Sequence, residues 1–221
     1  MRVLSIQVVL FSRDLISRPD LVANKINERL GNVFDSIPTC LNLPLDAPPE
    51  IPVVQWQSNK FPNVLNVSRI RTDFIINPTE ENSALEIIES RYKDTIVRYI
   101  SAVAEQCPVF RIGIIFKVFE EVDDPCSAIS EKYFGGFIRG AQELSFRQNK
   151  VSTIKGIKIN NIFNVANSVI QAEKSLRGIL YTRDINNAVN QSSNEVITQK
   201  RIETVLKHSF SFLADSKFGE A

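Results

Sequence analysis

The chain is poor in the residues that most often do chemistry. Its 221 residues include one histidine, three cysteines, one methionine and one tryptophan. A structural zinc needs four Cys or His ligands converging at about 2.0–2.3 Å. One histidine and the absence of a C-x-x-C spacing leave no such set. A Ser-His or Cys-His pair would have to use His208, which lies in Leu206-Lys207-His208-Ser209-Phe210 and reads as a surface or half-buried residue near a helix C-terminus. Phosphate loops are missing too: there is no G-x-x-x-x-G-K-[ST] and no G-x-G-x-x-G, and Gly135-Gly136-x-x-x-Gly140 follows a helix rather than a strand. Charge of one sign is also lacking. With 26 basic and 25 acidic residues the net charge is +1, which excludes a basic packing protein or an acidic tail protein. No run of 18 apolar residues exists, so no membrane-spanning segment is expected. Cys40, Cys107 and Cys126 are too few and too far apart for a disulfide framework, and buried reduced thiols in a cytoplasmic protein are the expectation. No cofactor is implied.

What is present is a well-patterned globular chain, 43% apolar. Arg2 precedes an apolar run from Val3 to Phe11, but Ser5 and Gln7 interrupt it and no small-x-small cleavage site follows, so it reads as a strand rather than a signal peptide. A helix capped by Ser17 follows, with Pro19 in its first turn and an inner face of Val22, Ile26, Leu30, Val33 or Phe34, and Ile37. Residues 38–52 hold Pro38, Pro44, Pro48, Pro49 and Pro52 and form an ordered loop. Val53–Ser58 and Val64–Ile76 read as a hairpin around Asn59, Pro62 and Asn63. Leu85, Ile88, Tyr92, Ile96, Tyr99 and Val103 mark a helix from about Asn77 to Gln106, roughly 40 Å long at 1.5 Å per residue. Val109–Glu120 is a buried central strand, and Asp124-Pro125 opens a short helix that Gly135-Gly136 ends. Three antiparallel strands follow, near 141–149, 154–170 and 175–182, with a turn at Glu173-Lys174-Ser175. A last helix begins at the capping box Ser192-x-x-Glu195, its inner face formed by Ile202, Val205 or Leu206, Ser209 and Leu213.

The first 120 residues thus run β-α-β-β-α-β, the order of the ferredoxin-like fold. The expected protein is α+β: a 1–122 βαββαβ sub-domain, and a 123–221 part with a short helix, a three-stranded meander and a C-terminal helix, packed as one unit.

Two clusters are candidates for function. Residues 139–183 carry eight basic groups (Arg139, Arg147, Lys150, Lys155, Lys158, Lys174, Arg177 and Arg183) against Glu143 and Glu173. Of these, Arg147, Lys150, Lys155, Lys158, Lys174 and Arg177 are the candidates for contacting nucleic-acid phosphates. A solvated sheet face is the plainer reading, because Phe146 and Phe163 fall in apolar alternation and do not interleave as base platforms. Glu120, Glu121 and Asp123, with Asp73 as a partner, could hold a divalent cation. Against this, Asp124 has a capping role, and neighbouring residues on an extended chain point to opposite sides. Arg69, Arg71 and Asp73 share one face of their strand.

The long helix followed by Arg111-Ile112-Gly113-Ile114, and the ending from Arg177-Gly178-Ile179 through Asp184 to the helix around Ile202–Phe218, resemble a sporadically distributed prokaryotic family of α+β proteins of unknown function. The resemblance follows the order of elements over most of the chain. It implies a prokaryotic cytosolic protein and carries over no site residue.

The sequence therefore favours a non-enzymatic binding or assembly module working through protein–protein contacts, as a homo-oligomer such as a homodimer or as a complex subunit. A nucleic-acid-binding accessory protein using the basic segment is the alternative, and a metal-dependent enzyme with an acidic site is a further one.

Overall fold

A computed structural model describes residues 1–44, 46–171, 175–188, 195–213 and 217–220. The described chain is a mixed α+β protein with four helices packed on a nine-stranded, wholly antiparallel sheet. The strands are β1 (Arg2–Ser12), β2 (Thr39–Cys40), β3 (Val54–Gln57), β4 (Asn63–Val67), β5 (Arg71–Ile76), β6 (Val109–Glu121), β7 (Ser145–Ile154), β8 (Ile157–Ile170) and β9 (Leu176–Asn187). The helices are α1 (Pro19–Arg29), α2 (Leu85–Ala104), α3 (Pro125–Phe134) and α4 (Gln199–Ser211). Strand order is β2-β3-β4-β5-β1-β6-β9-β8-β7, so the first strand of the chain lies at the centre.

Alternation along the strands sorts side chains onto two faces. Ile6, Val8 and Leu10 of β1 sit beside Ile76, Phe74 and Thr72 of β5 and beside Phe116, Ile114 and Ile112 of β6. All of these are buried, and the helices lie on them. Tyr99 of α2 packs on Phe74 and donates its hydroxyl to Thr72 Oγ1 at 2.7 Å. Burial pushes the Tyr99 phenol well above its ordinary pKa. Phe210 of α4 meets Phe116, and Tyr133 of α3 meets Phe146 and Phe163. Each such side chain contributes roughly 1.5–3 kcal/mol by leaving water.

Two close backbone arrangements fix the second half. Lys155 and Gly156 both have positive φ, 49° and 78°, as a two-residue hairpin matched to strand twist requires. At Gly178 a Cβ would collide with the carbonyl oxygen of Glu120, so β9 can lie this close to β6 only with glycine there.

Several boundaries differ from expectation. The anticipated strand Val64–Ile76 is two strands, because Ser68 Oγ accepts from the amides of Ile70 and Arg71 and turns the chain between them. The proline segment contributes the short strand β2 to the sheet. Cys40 lies on it and is exposed, whereas Cys107 and Cys126 are buried. The residue at the N-cap of α1 is Arg18 rather than Ser17, and Ile37 lies beyond the helix and is exposed. The long helix starts at Leu85, after a 3-10 turn at Glu80–Asn82, and its 20 residues span about 30 Å. Residues 141–144 stand outside the meander, which begins at Ser145 and ends at Asn187. The last helix begins at Gln199 with Thr198 as its cap, so Glu195 precedes it. Ser192 of the expected capping box, and Glu173-Lys174 of the expected turn, lie outside the described residues. Asp124 caps α3 as read, accepting from the Ser127 amide at 3.0 Å, and this bond holds its carboxyl below the ordinary value.

Candidate binding surface

The second face of the sheet holds the alternate residues. Gln7, Val9 and Phe11 of β1 lie beside Ile75, Asp73 and Arg71 of β5, and beside Ile115, Gly113 and Arg111 of β6. Gly113 and Ile115 continue to Asn186 and Asp184 of β9, and Asn186 to Asn160 of β8. None of the helix-to-sheet ring contacts above falls on this side.

Its centre is a polar network around a shallow hollow of about 130 Å³, lined by Val9, Phe11, Arg71, Arg111, Gly113, Ile115, Asp184 and Asn186. Arg71 grips Asp73 through two hydrogen bonds of 2.6 and 2.8 Å, and Gln7 Nε2 donates to the same carboxylate at 2.8 Å. Such a forked pair is geometrically specific. Arg71 and Arg111 flank the Phe11 ring, with guanidinium carbons 5.5 and 5.3 Å from its centroid. Asn186 Oδ1 accepts from Asn160 Nδ2 at 3.0 Å and from Arg111 at 3.4 Å, while its amide donates to Asp184 at 2.9 Å. Asp73 and Asn186 are only 6% and 1% exposed, although they lie on the face opposite the described helix-to-sheet ring contacts. Gly113 forms part of the floor, where a Cβ would only make ordinary contact with Asn186, Asp184 and Val9.

The helix side buries an arginine. Arg183 is 2% exposed. It donates to Phe218 O at 2.8 Å, to Glu220 O at 2.7 Å and to Asn161 Oδ1 at 3.1 Å. Its guanidinium stacks 4.3 and 4.4 Å from the Phe163 and Phe212 rings. Nε has no hydrogen-bond partner, and burial pulls the pKa down to about 10. Tyr133 of α3 completes the clamp by donating to Gly219 O at 2.6 Å, so three successive carbonyls, 218–220, are held between β9 and α3. His208 stands nearby with its ring against Phe212, and burial, then the Arg183 charge, lower its pKa.

The basic candidates do not form one patch. Arg147 and Lys158 belong to the open face, Lys150 and Arg177 to the helix side, and Lys155 to the tip of the β7–β8 hairpin. Lys174 lies outside the described residues. Arg183, counted in the same segment, is buried in the core. Phe146 and Phe163 pack on Tyr133, and Phe146 also on Phe134. The acidic candidates are equally scattered. Asp73 is level with Gly113, and Glu120 lies seven residues further along β6, roughly 23 Å away at about 3.3 Å per residue. Glu120 accepts from the Tyr181 hydroxyl at 2.7 Å, and burial, followed by this bond, raises the tyrosine pKa. Glu121 and Asp123 are exposed. Among the described residues no group of three His, Cys, Asp or Glu side chains is placed to hold a metal ion. No described helix is long and apolar enough to cross a membrane.

Sequence reasoning noticed Arg71 and Asp73 together but missed Gln7, Phe11, Arg111, Asp184 and Asn186. The signal was polar residues at alternate positions inside strongly apolar strands. No family model matches the chain, and no significant match to a curated protein is found.

Proposed function

We propose that the protein is a non-enzymatic binding or assembly module, acting as a homo-oligomer or as a subunit of a complex, and that its open sheet face is a contact surface. The observation that carries this reading is the network around Phe11. A face that only met water would have no need of buried Asp73 and Asn186 held in a fixed lattice of bonds. Side chains already ordered lose little entropy when a partner arrives, which favours binding. Arginine flanked by an aromatic ring is also enriched at interface centres. A cytoplasmic location accords with this reading.

The nucleic-acid alternative has less support, because the candidate bases divide between two faces and the aromatic rings are committed to packing. The metal-dependent alternative is weakened by the distance between Asp73 and Glu120. For the fold, the order β4-β5-β1-β6 with α1 and α2 in the connections supports a ferredoxin-like unit for the first sub-domain, 1–122, widened by β2 and β3. The remaining part, 123–221, then extends the same sheet by three strands.

Light scattering on the purified chain, with Arg111→Glu as comparison, tests the contact surface. The expected result is an assembly larger than one chain that Arg111→Glu weakens while thermal unfolding is unchanged. A strict monomer that also brings down no partner from its native source overturns the proposal.

A further inference from the structure

We infer that β7 is a docking edge for an extended acidic segment of a partner protein, which adds to the sheet as a tenth strand. The inference rests on the protein-binding reading but uses the edge of the sheet, not its open face.

The two ends of the sheet are unlike. At one end β2 is two residues long, which blunts that edge. At the other, β7 runs for ten residues, and its outer side pairs with no described strand. A long edge presents a row of unused amides and carbonyls, and strand addition is how proteins commonly use one.

Charge selects the occupant. From Ser145 to Ile170, β7 and β8 with their turn contain Arg147, Lys150, Lys155 and Lys158 and no acidic residue. Pairing of β7 with a second copy would bring positive ribbons together with no counter-charge. An acidic strand would meet opposite charge along its length, and opposite charges on facing strands attract. The spacing is informative too. Arg147 and Lys150 are three residues apart, so they project to opposite faces of the sheet. Two carboxylates three residues apart on the incoming strand would meet one base on each face. Single-stranded nucleic acid is the lesser fit, because Phe146 and Phe163 are turned into the core against Tyr133, leaving no ring along β7 for a base to stack on.

The hairpin fixes which amides face outward. In a two-residue loop the flanking residues, here Ile154 and Ile157, form the close hydrogen-bonded pair. Counting back by alternation, Thr153, Val151, Asn149, Arg147 and Ser145 turn their N–H groups away from β8. Asn149→Pro therefore removes a donor that only an added strand would use, and proline is tolerated on an edge in that orientation.

The test is fluorescence anisotropy of the full chain with labelled Thr/Val peptides of about ten residues. The peptides carry two Glu three apart, two Gln, or two Lys, in about 50 mM salt. The Glu peptide is expected to bind about tenfold more tightly than the Gln peptide, and more weakly as salt rises. Asn149→Pro should abolish binding, and the double change Arg147→Glu and Lys150→Glu should transfer preference to the Lys peptide. Circular dichroism melts show that each variant is folded. Equal binding of Glu and Gln peptides by the parent chain, or undiminished binding by folded Asn149→Pro, overturns the inference. So does tighter binding of a single-stranded oligonucleotide competing for the same site. A monomer that brings down no partner through the open face yet still captures the Glu peptide would count against the open-face reading alone. An assembly that ignores all three peptides would count against the edge alone.

Discussion

Arg71 and Arg183 stand on opposite faces of one sheet and are neutralised in opposite ways. Arg71, on the open side, is forked to the Asp73 carboxylate and keeps part of its side chain in water. Arg183, on the helix side, has no described carboxylate at ion-pair distance and is held by carbonyl oxygens and stacked rings. A pair left partly in water gives a fixed, charged pattern of the kind a partner can read. A buried guanidinium gives no such pattern, since nothing outside can reach it. Its value is to tie residues 218–220 to β9. The two faces thus differ: one packs against the described helices, and the other carries the polar network around Phe11.

The comparison can be broken most forcefully at aromatic rings. Phe116→Ala on the helix side, where the ring meets Phe210 and Phe218, should cost about 3–5 kcal/mol in urea unfolding. Phe11→Ala on the open side should cost about 1 kcal/mol, since its partners are two partly exposed guanidinium groups and one edge contact with Phe110 at 6.5 Å. Equal costs would mean that the open face is as much a core as the other.

Next in size is Arg183→Ala, expected to cost about 3 kcal/mol because it strands two carbonyls and leaves a void between rings. Arg183→Lys should not restore it, as an ammonium cannot fork and stack together. Chemical denaturation compares the three proteins, and full rescue by lysine would mean that charge alone matters.

A smaller effect is expected at His208. Its folded pKa lies below the ordinary 6.5, so the folded chain resists protonation. The resulting penalty is absent well above that value and grows as pH falls through it. Thermal melts should therefore show the protein losing more stability than His208→Gln between about pH 7 and pH 5. Parallel loss in both would remove His208 from the account.

The smallest is Gly113→Ala, where the added methyl enters the hollow at ordinary contact distances. Melting temperature should stay within about 2 °C, since an alanine needs no unusual φ at this strand position and its methyl meets only ordinary contacts. Assembly by light scattering should weaken if the hollow receives a partner side chain.

Much of the fold was legible because it depends on near neighbours in sequence. The run Ile112, Ile114, Ile115 and Phe116 announces a central strand, and Asp124-Pro125 announces a helix start. The Ser68 turn was less legible, because only a change of phase in the apolar alternation, from Leu65 and Val67 to Ile70, Phe74 and Ile76, and one serine hydroxyl mark the reversal. The candidate surface was the least legible. Gln7, Asp73, Arg111 and Asn186 meet only through the register of four strands drawn from across the chain. Arg183 shows the limit most clearly, since by sequence it belonged to a basic surface segment and in space it is core. Arg69, read on the same face as Arg71 and Asp73, instead belongs to the turn and donates to Ala47 O.

The place of β1 also governs the order in which the sheet can assemble. It is made first, yet its neighbours on either side, β5 and β6, begin about 60 and 100 residues later. The β7-β8-β9 meander needs no such wait, because each of its strands pairs with the next one along the chain. During synthesis the apolar run from Val3 to Leu10 has no partner until most of the first half exists. Closing such long loops is slow, so folding should show a fast phase in the meander and a slow one as β1 is captured between β5 and β6.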